Sequence, residues 1–178
     1  MEGLKVHILG SSFVRRLMFF TGCSSLLRTE HMNVTFDGRS GAVIPDFFDS
    51  ELNISYIPDV VFIKLGENDI ERFSRTEILA NILRLVITLK EKGVRHVFVC
   101  QLLPRKSTRT MTPKQFYYGK RFINRRLSRL FHGQKGVTFQ KIRKFRNIYM
   151  HRDDVHLSNL GNRWLLKNII SLVKRHIQ

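Results

Sequence analysis

Residues 58–66 read PDVVFIKLG: four apolar residues in succession, mostly β-branched, enclosed by a proline and a glycine. A run with no polar alternation is a strand buried on both faces, the pattern of a parallel sheet covered by helices. The next segment agrees. RTEILANILRLVITLKEKG, residues 75–93, places Ile78, Ile82, Leu85 and Leu89 on one helical face, with Gly93 just beyond the end. RHVFVCQLL, residues 95–103, is again a strand, stopped by Pro104. Working outward, strands are expected at 4–10 (LKVHILG), 32–38 (MNVTFDG) and 137–142 (VTFQKI). Helices are expected at 12–20, with Val14, Leu17 and Met18 at helical spacing and Gly22 as the stop, and at 113–131, where Pro113 suits the first turn. A last helix runs from about Ser158 to His176, with Ser158 as its cap and Leu160, Trp164, Leu165 and Ile169 on its apolar side. A short helix is expected over 44–52, and the basic stretch RKSTRTMT, 105–112, reads as an exposed loop. Strand and helix alternate about five times, which predicts an α/β three-layer sandwich with a roughly five-stranded parallel sheet.

The chain has 178 residues, 43% of them hydrophobic, enough for one core, and the whole of 1–178 reads as a single domain. Four prolines and eleven glycines do not suit a collagen-like or low-complexity chain. No apolar run approaches the roughly 18 residues of a membrane span. The opening MEGLKVHILGSS has too short an apolar stretch for a signal peptide, so an intracellular protein, cytoplasmic or nuclear, is expected. Cys23 and Cys100 lack metal-ligand spacing and read as small buried hydrophobes. Neither a metal nor a cofactor is implied. Charge is unevenly spread. The net charge of +17 divides into nine basic and eleven acidic side chains over 1–89, then twenty-two basic and three acidic over 90–178. Self-repulsion on that scale makes a polyanionic partner, nucleic acid or anionic lipid, an expectation for the C-terminal half. Lys120, Arg121, Arg125, Arg126 and Arg129 recur along the 113–131 helix behind Phe116, Tyr117 and Tyr118, and form the candidate anion-binding set.

In an open parallel sheet, ligands bind beyond the carboxyl ends of the strands. Four polar blocks stand there. Gly10-Ser11-Ser12-Phe13 turns from the first strand into a helix, where amide groups lie close to a serine oxygen. Gly38-Arg39-Ser40-Gly41-Ala42 can bring unhindered backbone N–H groups close to a ligand. Gly66-Glu67-Asn68-Asp69 offers an amide donor for developing negative charge. In Arg152-Asp153-Asp154-Val155-His156-Leu157, Asp153 can accept the Nδ1 proton of His156 and leave Nε2 free as a base. Taken singly, each block is also what a cap or turn would show. Together they supply four different roles at one edge, with no duplication.

In order and separation these blocks resemble the SGNH, or GDSL-type, hydrolase family: a serine block, a glycine block, G-x-N-D, and D-x-x-H before the last helix, completed here by Gly161-Asn162. The resemblance spans nearly the whole chain and implies a flavodoxin-like α/β fold and hydrolysis of an ester, acyl or acetyl. It implies Ser12 as nucleophile, His156 as general base and Asp153 as its orienting carboxylate. The implied oxyanion hole is the Ser12 N–H, the Gly41 N–H and the Asn68 side chain, with Gly38 as the alternative glycine. Ser11 stands where the family has an aspartate. Glu67 stands where a small residue is common, and is expected to face solvent or to pair with Lys64 or Arg105. A looser similarity, in the GSS block and the basic excess, is to acetylhydrolase-like domains of animal retroelements.

Overall fold

The computed structural model describes residues 3–22, 26–28, 31–48, 56–142 and 145–177, without the side chains of 26–28, 176 and 177. Six strands form one sheet: β1 (Leu4–Gly10), β2 (Leu26–Arg28), β3 (Met32–Gly38), β4 (Val60–Lys64), β5 (His96–Cys100) and β6 (Val137–Gln140). Their spatial order is β2-β3-β1-β4-β5-β6. Five strands are parallel, and only β2 runs antiparallel, against β3. This edge strand has no counterpart in the sequence reading, because three residues are too few to establish an alternation.

Four helices cover the sheet: α1 (Ser12–Phe20), α2 (Arg75–Glu91), α3 (Pro113–Leu130) and α4 (Asn159–Ile177). Successive strand residues point to opposite faces. Leu9, Val61, Ile63, Val97 and Val99 join Ile78, Ile82, Leu85, Phe116, Ile123 and Leu127 in the layer of α2 and α3. Val6, Ile8, Val60, Phe62 and Phe98 join Phe13, Val14, Leu17, Leu165 and Ile169 in the layer of α1 and α4. All five residues of β4 are buried, as its unbroken apolar run requires.

Several expectations need correction. The segment from residue 44 makes only a 3-10 turn, Ile44–Phe47, and 49–52 lie outside the described residues. It is tightened by side chains: the Val43 N–H donates to Asp46 Oδ2 (2.9 Å) and the Ile44 N–H to Asp69 Oδ1 (3.0 Å). Leu160 is exposed, because the buried side of α4 is set by Gly161, Asn162, Leu165 and Ile169. Trp164 is half-buried and stacks on Tyr149, with centroids 4.8 Å apart. Ser158 does cap α4, its Oγ accepting from the Gly161 N–H at 3.1 Å. Cys100 is buried, which pushes its thiol up to about 12, whereas Cys23 lies outside the described residues. No helix among the described residues is long and apolar enough to cross a membrane.

Candidate active site

β1 lies between β3 and β4, so the chain leaves β1 for one side of the sheet and returns to the other. The crevice beyond that reversal is where this architecture binds ligands. Ser12 follows β1 and opens α1 with Ser11 as N-cap, so its backbone N–H belongs to the first turn, where no intrahelical acceptor exists. Its Oγ lies 2.9 Å from His156 Nε2. The other ring nitrogen, Nδ1, lies 2.9 Å from Asp153 Oδ2. A carboxylate only accepts, so Nδ1 carries the proton and Nε2 accepts from the serine hydroxyl. Asp153 Oδ1 accepts the N–H groups of Val155 (3.0 Å) and His156 (2.9 Å), which fixes the loop before α4. Arg16 Nη2 stands 3.3 Å from Oδ2.

Electrostatics hold both groups in these states. Burial pushes the His156 pKa below its ordinary value. The Asp153 contacts oppose that push, the Arg16 and Arg105 charges reinforce it, and the net direction is downward. Desolvation acts to raise the Asp153 carboxyl, but the His156 and Val155 backbone bonds and the imidazole outweigh it and hold it well below the usual carboxylate range. At neutral pH the pair is a neutral imidazole on an ionised carboxylate.

Asn68 heads the 3-10 turn Asp69–Glu71 after β4. Its Oδ1 accepts from Arg105 Nη2 (2.8 Å), and one Nδ2 hydrogen goes to the Ala42 carbonyl (2.8 Å). Nδ2 carries a second hydrogen for the cleft. Gly41, at φ +71°, and Ser40 line the same cleft. Gly38 does not: a Cβ there would overlap the Arg15 backbone, so its missing side chain lets α1 press against β3. Of the two glycines, the structure brings Gly41 beside Ser12 and Asn68.

The cleft holds about 440 Å³. One wall is the 105–112 loop, which is largely exposed as expected, apart from its first residue. Arg105 is buried, and Ser107, Thr108, Arg109 and Thr110 also line the cleft. The loop is pinned twice, by the Lys106 N–H on the Asp154 carbonyl (2.9 Å) and the Arg109 N–H on Glu71 Oε1 (2.7 Å). Glu67 does not face solvent. It is fully buried and ion-paired with Lys64, and its Oε1 also accepts the Leu103 N–H at 2.8 Å. Burial would raise its carboxyl, but Lys64, the Leu103 bond and Arg105 together lower it. Lys64 Nζ lies 4.6 Å from the Phe13 ring centroid.

The anion-binding set stays together but apart from these residues. Arg121, Arg125, Arg126 and Arg129 line a groove of about 690 Å³ with Arg75, Tyr118 and Phe122. Lys120 is half-buried, its Nζ 5.2 Å from the Tyr117 centroid. Phe116 is core, whereas Tyr117 and Tyr118 are exposed. Arg105 and Arg16 also stand at the candidate site, on Asn68 and Asp153, and no sequence block marks them as such. Among the described residues no cluster of three His, Cys, Asp or Glu side chains could hold a metal ion.

Solved structures share this architecture. A lipolytic protein of the G-D-S-L family from Veillonella parvula superposes with a TM-score of 0.71 at 16% identity, over 97% of this chain and 100% of that one. A carbohydrate esterase of family 3 from Talaromyces cellulolyticus gives 0.68 at 18% identity, over 97% and 99%. An acetyl esterase mutant with an acetate ion gives 0.68 at 17%, over 97% and 99%. The GDSL-type fold is shared from end to end. Neither a family model nor a curated protein matches the sequence.

Proposed function

We propose that the protein hydrolyses carboxylic esters with short acyl groups, using Ser12 as nucleophile, His156 as general base and acid, and Asp153 to fix the imidazole. The observation that carries this reading is the 2.9 Å approach of Ser12 Oγ to a His156 Nε2 whose ring is held neutral. His156 takes the hydroxyl proton as Oγ bonds to the carbonyl carbon. The oxyanion meets the Ser12 and Gly41 N–H groups and the free Asn68 Nδ2 hydrogen. The bond to the alkoxy oxygen then breaks, and His156 protonates the departing alcohol. Water repeats the sequence on the acyl-enzyme. A small acyl group suits a cleft lined mainly by polar and charged residues, and an acetyl esterase shares the fold. Turnover of p-nitrophenyl acetate tests the reading. Ser12→Ala is expected to leave a residual about 10³-fold or more below the parent, and parental turnover in that variant would refute it.

A second reading, compatible with the first, concerns the α3 groove. Five arginines beside two aromatic rings make it a contact for a polyanion, nucleic acid or anionic lipid. Binding of a labelled oligonucleotide or of phosphatidylserine vesicles that weakens steeply with salt, and is lost on Arg121→Gln/Arg125→Gln, would support it. Salt-insensitive binding would not.

A further inference from the structure

The acyl-transfer reading leaves the alcohol unassigned, and the cleft walls bear on it. Fourteen residues line the cleft, and among them Val155 alone has a purely aliphatic side chain. Three are arginines, Arg72, Arg105 and Arg109, which face two carboxylates, Glu71 and Asp153. The carboxylates are already engaged. Asp153 holds His156 and two backbone N–H groups, and Glu71 Oε1 accepts the Arg109 N–H. Arg105 is engaged too, with Nη2 on Asn68 and Glu67 nearby. Arg72 and Arg109 are different: both are exposed at the mouth, and neither has an ion-pair partner among the described residues. Arg109 rides on a loop pinned to Glu71 on one side and to Asp154 on the other, so its guanidinium is carried by a braced wall. An acetyl group placed on Ser12 leaves most of a 440 Å³ cleft for the rest of the substrate, in surroundings of hydroxyls and positive charge.

We infer that the leaving alcohol carries an anionic group, carboxylate or phosphate, which Arg72 and Arg109 hold while the acyl carbon sits over Ser12. The inference rests on the acyl-transfer reading and adds the substrate class to it. A neutral lipid alcohol would leave two guanidinia unanswered and meet a single aliphatic side chain, Val155. An anion accepts their N–H groups in charge-assisted hydrogen bonds.

Three acetyl esters test it: anionic 4-acetoxybenzoate, neutral 4-acetoxybenzamide and 4-acetoxyphenyl phosphate, each kcat/KM corrected for spontaneous hydrolysis. At low ionic strength the anionic esters are expected to be favoured by about tenfold, and the larger gain names the group. The ratio is expected to fall toward one at about 0.5 M NaCl. It should also collapse in Arg72→Gln/Arg109→Gln and return in part in Arg72→Lys/Arg109→Lys. A ratio of one in the parent protein, or a preference that survives the double glutamine variant, overturns the inference. Failure of the underlying reading looks different: Ser12→Ala would then hydrolyse all three esters as the parent does.

Discussion

Asn68 has one amide and three calls on it. Arg105 anchors the oxygen, the Ala42 carbonyl takes one hydrogen, and the proposed mechanism gives the other to an oxyanion. Removing one such donor typically costs about 10²–10³ in turnover, so Asn68→Ala is expected to lose that much kcat with little change in melting temperature. Arg105 acts through Asn68 and through His156, whose pKa its charge depresses. His156 must be neutral to accept the serine proton, so activity falls as pH drops through its pKa. Taking away the Arg105 charge lets that pKa rise. Arg105→Gln is therefore expected to lower kcat by about tenfold or more and to move the acid limb of the pH–rate profile upward. Arg105→Lys should restore the limb but not the full rate, because an ammonium lacks the planar fork. An unmoved limb in the glutamine variant would refute the electrostatic part. Ser12, Asn68, Asp153 and His156 were legible in the sequence because each stands in a short block at a strand or helix end. Arg105 was not. The residues that follow it are basic and polar, and only the fold shows it packed against Asn68, Phe13 and Phe116.

At the scale of elements, α1 is the piece that sets the geometry. It carries Ser12 at its first position, and it lies close against β3 because Gly38 offers no side chain. Gly38→Ala forces a methyl group into the Arg15 backbone. Helix and strand must part, and a displacement of about 1 Å at a nucleophile can cost on the order of 10²-fold. The variant is expected to be less stable by about 1–3 kcal/mol and to lose far more activity than stability alone explains, read by urea unfolding beside p-nitrophenyl acetate turnover. Gly41→Ala is the contrast: the space beside it is open, and the strain comes from φ +71°. α2 could be read from its apolar spacing, α3 from Pro113 at its first turn and β4 from its unbroken apolar run. β2 and the tight turn at Ile44–Phe47 could not, since the first is too short for a period and the second is fixed by Asp46 and Asp69 rather than by its own apolar residues.

For the whole molecule, the charges beneath the sheet edge decide how stability follows pH. Asp69 is fully buried and its carboxyl is pushed up to about 7, chiefly by burial, with the Ile44 N–H opposing and Glu67 adding to the rise. A carboxyl raised on folding contributes stability that is present below its unfolded value, near 4, and is lost as pH climbs through 7. His7 runs the other way. Burial lowers it to about 4, so its contribution is present above about 6.5 and is lost as pH falls toward 4. The two slopes oppose each other between pH 4 and 7. Asp69→Asn removes one of them while keeping an acceptor for Ile44. Relative to the parent, that variant is expected to gain stability between pH 5 and pH 8, by roughly 2–4 kcal/mol in urea unfolding. Equal pH dependence in the two proteins would mean that Asp69 is not held protonated. The uneven charge of the halves was visible from composition, but the burial of Lys64, Glu67 and Asp69 was not, because one sequence does not show which charges the fold encloses.

The proposed chemistry requires an activated Ser12, and covalent labelling reads that directly. Incubation with a fluorophosphonate at pH 7, followed by intact mass and peptide mapping, is expected to give a single adduct on Ser12. The adduct should be absent in Ser12→Ala and slowed by orders of magnitude in His156→Ala. Labelling that persists in Ser12→Ala, or a folded protein that hydrolyses acetyl esters while Ser12 stays unmodified, would contradict it.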